Sequence, residues 1–133
     1  MSAPHLPPGT RLPALFRGVL PLNHELGEAA GHRLMLLSLE CWEGWADLRF
    51  ARIDTGAGQR LTRRVPPAGQ WRITADRAPL SVHDAVGRGD RAFSNGEVRL
   101  VPAPPPGSLL EVSVVLVEGS APLSATVRLP EAT

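Results

Sequence analysis

Two histidines with acidic residues between them are the first place to look for metal or acid–base chemistry in this sequence. His24 and His32 lie eight positions apart, with Glu25 and Glu28 between them. A typical two-histidine metal motif places both rings on one helix face, with further ligands converging on the ion. The spacing here does not supply that geometry. We therefore expect two solvated loop histidines, and no metal or cofactor.

One cysteine and one strand serine are the candidate nucleophiles. Cys41, the single cysteine, shares the alternation phase of the leucines before it, so we expect its thiol to face the core as a small apolar group. Ser38 lacks the Gly-x-Ser-x-Gly turn that raises a catalytic hydroxyl out of a strand. An enzyme would need His83 and Asp84 in a pocket with another polar group. Without a convergent catalytic set, we expect a protein that is not an enzyme.

The densest basic cluster could bind a phosphate-bearing ligand. Arg60, Arg63 and Arg64 lie in a Gly- and Pro-rich connection over residues 54–70. Binding through them would weaken as salt is added, because phosphate contacts release counterions. No aromatic residue lies among the arginines to stack on bases, and the formal net charge of the chain is only +1. Nucleic acid is therefore disfavoured as a partner, and this loop supplies the alternative function.

A tryptophan pair is the strongest candidate for a binding surface. Trp42 and Trp45 flank Glu43-Gly44, between two runs of alternating apolar residues. In a two-residue hairpin turn they lie directly opposite each other, on the face away from the core. There they either stabilise the hairpin beneath a covering segment or form an exposed hot spot. In an immunoglobulin topology the chain would instead cross between sheets here, and the sequence permits both arrangements.

The alternation around this turn predicts a strand register. The predicted core-facing rows are Met35, Leu37, Leu39 and Cys41 before the turn, and Ala46, Leu48 and Phe50 after it. Pairing the rows places apolar residues opposite one another, as Cys41 with Ala46, Leu39 with Leu48 and Leu37 with Phe50. A slip of one residue would move the whole row into water, so the register is strongly specified.

Further runs of period-2 alternation, separated by turn signals, predict the rest of the fold. We expect strands over residues 17–22, both arms of 33–53, 71–74, 80–87, 97–101, 109–118 and 123–129, and no helix. Residues 23–31 are expected to form a loop with one helical turn. The pattern predicts an all-β fold, an antiparallel immunoglobulin-like β-sandwich of seven or eight strands. Residues 1–15 are predicted to be a flexible Pro-rich arm, and residues 16–133 a single domain.

The sequence resembles a group of small bacterial proteins of unknown function that are predicted to form immunoglobulin-like sandwiches. The resemblance spans roughly residues 34–130, with Ala85 and the residue after Gly87 departing from the pattern. It implies a β-sandwich and transfers no catalytic residue. The segments that carry it are Leu37-Ser38-Leu39-Glu40, Ala46-Asp47-Leu48-Arg49-Phe50, Val82-His83-Asp84-Ala85-Val86-Gly87, Ser94-Asn95-Gly96-Glu97, residues 102–108 and Val127-Arg128-Leu129-Pro130.

Surplus apolar residues on the predicted outer faces indicate an interaction module. Val115 and Val117 form an outer row on the strongest predicted strand, and such a row implies a covering partner. We expect the partner to be another protein or a second copy of the chain. No signal-peptide-like or membrane-spanning run is present, so we expect a cytoplasmic protein. The other surplus residues are Leu34, Leu36 and Ile53.

Overall fold

The computed structural model describes residues 15–55, 65–90 and 92–131, and these contain eight β-strands. The strands are β1 (Phe16–Ala29), β2 (His32–Trp42), β3 (Ala46–Asp54), β4 (Trp71–Ala75), β5 (Ala78–Gly89), β6 (Phe93–Val101), β7 (Leu109–Val114) and β8 (Leu123–Arg128). All neighbouring strands are antiparallel. In the described ranges the only helical segment is a 3₁₀ turn, Ala68–Gln70. The predicted all-β antiparallel architecture is confirmed.

The eight strands form one sheet in the order β1-β2-β3-β6-β5-β4-β7-β8. The sheet curls until β1 and β8 lie side by side, which makes it a nearly closed, barrel-like structure. At this seam a methyl group on Gly27 would lie 3.2 Å from Cδ2 of Leu123. The long strand β5 connects the two halves of the curled sheet, because its residues 78–80 pair with β4 and its residues 81–89 pair with β6.

One apolar core fills the space enclosed by the curled sheet. Strand β7 lies between β4 and β8, and its unbroken buried row of Leu110, Val112 and Val114 is typical of an interior strand. Burying a leucine side chain contributes about 1.5–3 kcal/mol, so this row is a major source of stability. The buried apolar residues of the core include Leu34, Leu36, Leu39, Leu48, Phe50, Trp71, Ile73, Val98, Leu100, Leu110, Val112 and Val114.

The chain turns back as a tight hairpin between β2 and β3. The Trp42 N–H donates to the Trp45 carbonyl at 2.8 Å, so Glu43-Gly44 is a two-residue turn. Cys41 pairs with Ala46, as the alternation predicted. Because β2 and β3 are neighbours in the sheet, the alternative in which the chain crosses between sheets here is wrong.

A bulge in β2 overturns part of the predicted core. The register with β3 shifts between Leu36 and Ser38, so that Leu36, rather than Leu37, pairs with Phe50. An extra residue in one strand inverts the inward–outward alternation beyond it. Leu34 and Leu36, expected on the outer face, are therefore fully buried. Met35 and Leu37, expected in the core, are half-buried.

The first strand is longer than expected and lies at an edge of the sheet. It extends through residues 23–29, where a loop with a helical turn was predicted. Its register shifts three times, and Asn23 (φ 47°) and Gly27 (φ 143°) adopt positive φ within it. Asn and Gly tolerate such backbone conformations, which let an edge strand twist and bulge while still pairing. β1 is the first strand in the order of the sheet and pairs with β2.

The strongest predicted strand is shorter than expected. It ends at Val114, four residues before the predicted end at Glu118, so Val115 and Val117 lie beyond it. Both are half-buried, and the Val115 N–H donates to the Gln70 carbonyl at 3.1 Å. The continuous outer row expected there is absent.

No helix in the described part of the chain has the length and apolar content needed to cross a membrane.

Candidate functional site

Three aromatic rings stack at the hairpin turn, on the outer face of the sheet. The indoles of Trp42 and Trp45 lie with ring centroids 5.8 Å apart and planes inclined by 11°. Phe16, the cross-strand partner of Trp42, packs against the other side of that ring at a centroid distance of 4.8 Å. Strands β1 and β2 each supply one ring, and the third comes from Trp45, in the turn directly before β3. The cluster is therefore built on a cross-strand pair and a tight hairpin turn.

A cation and a carboxylate complete the stack. The guanidinium of Arg99 lies 5.0 Å from the ring centroid of Trp45, within cation–π range. Its Nε donates to Asp47 Oδ1 at 3.1 Å, and this hydrogen bond raises the pKa of Arg99 above its ordinary value. Arg99 therefore stays charged and is held in place on Trp45 by a largely buried carboxylate.

Around the stack lies an exposed apolar patch, which we call the aromatic surface and define as Phe16, Val19, Trp42, Trp45 and Val101. Phe16 and Val19 are 52% and 53% exposed, and Val101 is 37% exposed. Phe16 and Val19 share the outer face because a register shift follows Phe16. An exposed apolar group next to rigid aromatic rings is the composition typical of binding hot spots.

The tryptophan pair has unsatisfied polar groups. The Nε1 atoms of Trp42 and Trp45 are both inaccessible to water and have no hydrogen-bond partner among the described residues. A buried donor without a partner costs about 1–3 kcal/mol, and such groups are uncommon in native structures. A purely structural pair would be expected to satisfy them.

Next to the aromatic surface lies a network of charged side chains. The carboxylate oxygens of Glu40, Asp47 and Glu97 lie within 4.8 Å of one another and could in principle hold a metal ion. Arg49 Nη1 lies 3.2 Å from Glu40 Oε1 and 3.9 Å from Glu97 Oε2, while Arg99 pairs with Asp47. The two arginines already compensate most of the negative charge. The arrangement is that of a surface ion-pair network.

A groove of about 810 Å³ opens beside the aromatic surface, at the end of the seam between β1 and β8. Residues 17–21 of β1 form one wall, and residues 102–106 form the opposite wall. Because most of the second wall is proline, we call this the proline groove. Among the described residues of its lining, Arg17 and Glu131 are the only charged ones. Its size and apolar lining are those of a ligand site.

Cys41 and Trp42 also line the proline groove. The Cys41 thiol is half-buried, and removal from water raises its pKa above the ordinary thiol value. A raised pKa lowers the thiolate fraction at neutral pH, which opposes a nucleophilic role. The expectation that Cys41 packs as a small apolar residue agrees with its position against the core.

At the other end of the sheet, the structure buries a histidine that the sequence predicted to be solvated. His32 is 3% exposed, and its Nδ1 lies 2.8 Å from Nη1 of Arg52, which is 1% exposed. His24, the other predicted loop histidine, is half-buried in β1 and pairs with Leu36. His32 and His24 therefore do not form a site together.

The remaining candidates are dispersed. Arg60, Arg63 and Arg64 lie outside the described residues, so phosphate binding through them stays a prediction. His83 and Asp84 are both exposed on β5, beside a register shift, and neither lines the proline groove.

Several contributors to these sites were missed at the level of sequence, among them Arg52 and Phe16. Arg52 continues the inward-facing row of Ala46, Leu48 and Phe50. Its place in that alternation could have predicted that its side chain is buried. Phe16 was missed because its proximity to Trp42 depends on strand pairing across residues distant in sequence.

The comparisons with protein-family models, curated proteins and solved structures each find no match to this chain.

Proposed function

We propose that this protein is a non-enzymatic binding module that engages another protein through the aromatic surface. The observation that carries the proposal is the more than half-exposed pair Phe16 and Val19, placed beside a rigid stack of tryptophans. Fully burying a large apolar side chain contributes roughly 1.5–3 kcal/mol, and these two side chains, which are about half exposed, forgo only part of it. A partner protein that covered Phe16 and Val19 would gain this stabilisation on binding.

The charged surroundings support the same proposal. Protein interfaces combine a desolvated apolar centre with a polar rim. Here the apolar centre borders Glu40, Arg49 and Glu97, whose side chains are partly exposed. The paired charges of this rim would orient a partner and disfavour those with mismatched charge.

The scaffold suits such a role. We further propose that the two halves of the curled sheet act as the two layers of a β-sandwich that is immunoglobulin-like in its layering and not in its strand connections. In support, β5 pairs with both halves, and Phe50 of β3 packs on Trp71 of β4 at a centroid distance of 5.0 Å. A rigid layered scaffold holds surface aromatic residues in place, which lowers the entropy lost on binding.

Site-specific photo-crosslinking in cells of the source organism tests the function. A benzoylphenylalanine at Phe16 is expected to form a covalent adduct of defined mass, which mass spectrometry identifies. Phe93 is the matched control, because it is similarly exposed (45%) but lies at the other end of the same face. An adduct with a second copy of the chain would identify a homo-oligomer.

Binding of the identified partner is then measured with purified proteins. Phe16→Glu should weaken the complex by about tenfold or more, since truncating or charging a hot spot costs at least about 2 kcal/mol. Phe93→Glu should leave it within about twofold. Absence of an adduct at Phe16, or equal adducts at Phe16 and Phe93, would contradict the proposal.

A further inference from the structure

The first wall of the proline groove is the edge of a β-strand. Residues 17–21 all line the groove, odd and even positions alike. Side chains of a strand alternate between its two faces, so a wall made by one face would use every second residue. A wall made by consecutive residues is therefore the strand's edge. Over residues 17–21, β1 pairs with β2, and no other strand among the described residues pairs with its outer edge.

Two features limit the length of free edge. The seam with β8 is closed further along β1, where Gly27 lies against Leu123. Pro21 has no N–H group and is followed by a register shift. Bulges and prolines are the devices that protect edge strands from unwanted pairing. They leave only residues 17–20 able to pair with another strand.

The second wall is apolar and rigid. Residues 102–106 include four prolines, so this wall offers almost no backbone donors. Hydrogen bonds hold it in place: the Ser108 hydroxyl donates to the Pro105 carbonyl at 2.6 Å, and the Gly107 N–H donates to the Pro130 carbonyl at 3.0 Å. A ligand would meet a preformed apolar surface here and would form its backbone hydrogen bonds with β1.

We propose that the proline groove binds an extended, uncharged apolar peptide segment of a partner protein, which adds as a strand beside residues 17–20 of β1. Main-chain hydrogen bonds along β1 would give affinity, and apolar side chains packing on the proline wall would give selectivity. The peptide should be short, about four residues in its paired part, because the free edge is that long. Charged side chains should be disfavoured, since the part of the lining that the structure describes carries no charged residue besides Arg17 and Glu131.

This inference rests on the proposed function, because it specifies how a partner protein would be held. The groove shares Val19 and Trp42 with the aromatic surface, but its test variants lie on the proline wall, so the two proposals can fail separately. A partner crosslinked at Phe16 that leaves the groove empty would overturn only the inference made here.

Selection of peptides on the full-length protein tests the proposal. A phage-displayed library of random heptapeptides is selected on the protein, and the enriched sequences are synthesised. They are expected to be extended and apolar. Pro106→Glu should weaken their binding by about tenfold or more, because an unpaired carboxylate would be desolvated in the groove. Pro122→Glu, an exposed proline outside the groove, should change it by less than about twofold.

Two further readouts report on the mode of binding. Hydrogen exchange should slow for backbone amides of residues 17–20 when the peptide is bound, as new strand hydrogen bonds form. Alkylation of Cys41, the only cysteine, should also slow, because Cys41 lines the groove. Pro105→Glu is a second groove variant in case Pro106→Glu unfolds the protein.

The proposal is overturned if no peptide is enriched, or if the enriched peptides bind the groove variants as tightly as Pro122→Glu. It is also overturned if peptides protect Cys41 without slowing exchange at residues 17–20. That result would show a groove that accepts apolar groups without adding a strand.

Discussion

Nη1 of Arg52 lies 2.8 Å from Nδ1 of His32, with both side chains buried at the end of the sheet opposite the tryptophan turn. An arginine can only donate, so Nδ1 accepts and the imidazole carries its proton on Nε2. The same guanidinium donates to Ser94 Oγ at 2.9 Å and to the Asp90 carbonyl at 2.8 Å. One side chain thus joins β2, β3, β6 and the turn before β6.

Replacing Arg52 with Met should destabilise the protein strongly. Methionine fills a similar space but leaves His32, Ser94 and the Asp90 carbonyl without this donor in a buried site. Leaving a buried hydrogen-bonding group without its partner costs about 1–3 kcal/mol, and this substitution does so at more than one group. Urea unfolding measures the loss. Arg72→Met, at an exposed position of β4, should cost within about 0.5 kcal/mol, and similar losses in both variants would contradict this role of Arg52.

Gly96→Ala should destabilise the fold by overpacking. Gly96 pairs with Gly87, and a methyl group on it would clash with the Val86 carbonyl oxygen and lie 3.1 Å from Cζ of Phe50. Relieving such a clash costs about 1–3 kcal/mol. Thermal unfolding should show a clearly lowered Tm.

Gly69→Ala is the control for that substitution. A methyl group on Gly69 would meet nothing within 4 Å, so the variant should be neutral or more stable by about 0.4–1 kcal/mol. If both glycine variants lowered the Tm equally, the close approach of β5 and β6 would not be the cause.

The stacked tryptophans should be energetically coupled. In a double-mutant cycle, Trp42→Ala and Trp45→Ala should show a coupling of about 0.5–1.5 kcal/mol, the value expected for an aromatic pair. A control cycle of Trp42→Ala with Ile53→Ala, at the far end of the hairpin, should be additive within about 0.5 kcal/mol. Additivity in the Trp42 and Trp45 cycle would mean that the stack contributes only buried area.

Alkylation of Cys41 should be slow at neutral pH and should accelerate only above the ordinary thiol range. Burial raises the pKa of this thiol, and only the thiolate reacts. Iodoacetamide labelling of the native protein against pH, compared with the urea-unfolded chain, measures the shift. The unfolded thiol should titrate near pH 8.5 and the native thiol above it.

The same shift links Cys41 to stability. The folded state favours the protonated thiol. The contribution of Cys41 to the free energy of unfolding is therefore complete below about pH 8.5 and is lost as the pH rises through the pKa of the folded state. Cys41→Ser should remove the part of the stability loss at alkaline pH that comes from this thiol. A native titration at or below that of the unfolded chain would contradict the desolvation of Cys41.

Much of the sheet follows from local alternation. The turn at Glu43-Gly44, the pairing of Cys41 with Ala46 and the interior position of β7 were all predictable, because each depends on a period-2 pattern close to a turn. Where an apolar row and a turn agree, only one register keeps the row out of water. The facing of Trp42 and Trp45 follows from the same register.

Tertiary structure alone decided the rest. The bulge after Leu36 inverts the alternation of β2, and bulges are set by how a strand fits its neighbours rather than by its own pattern. The burial of His32 and the contact of Phe16 with Trp42 depend on pairing across distant residues. The proline groove is assembled from β1, the hairpin turn, residues 102–106 and residues 130–131, which meet only when the sheet curls. Sequence periodicity describes one strand at a time, whereas a groove is a property of how strands close on one another.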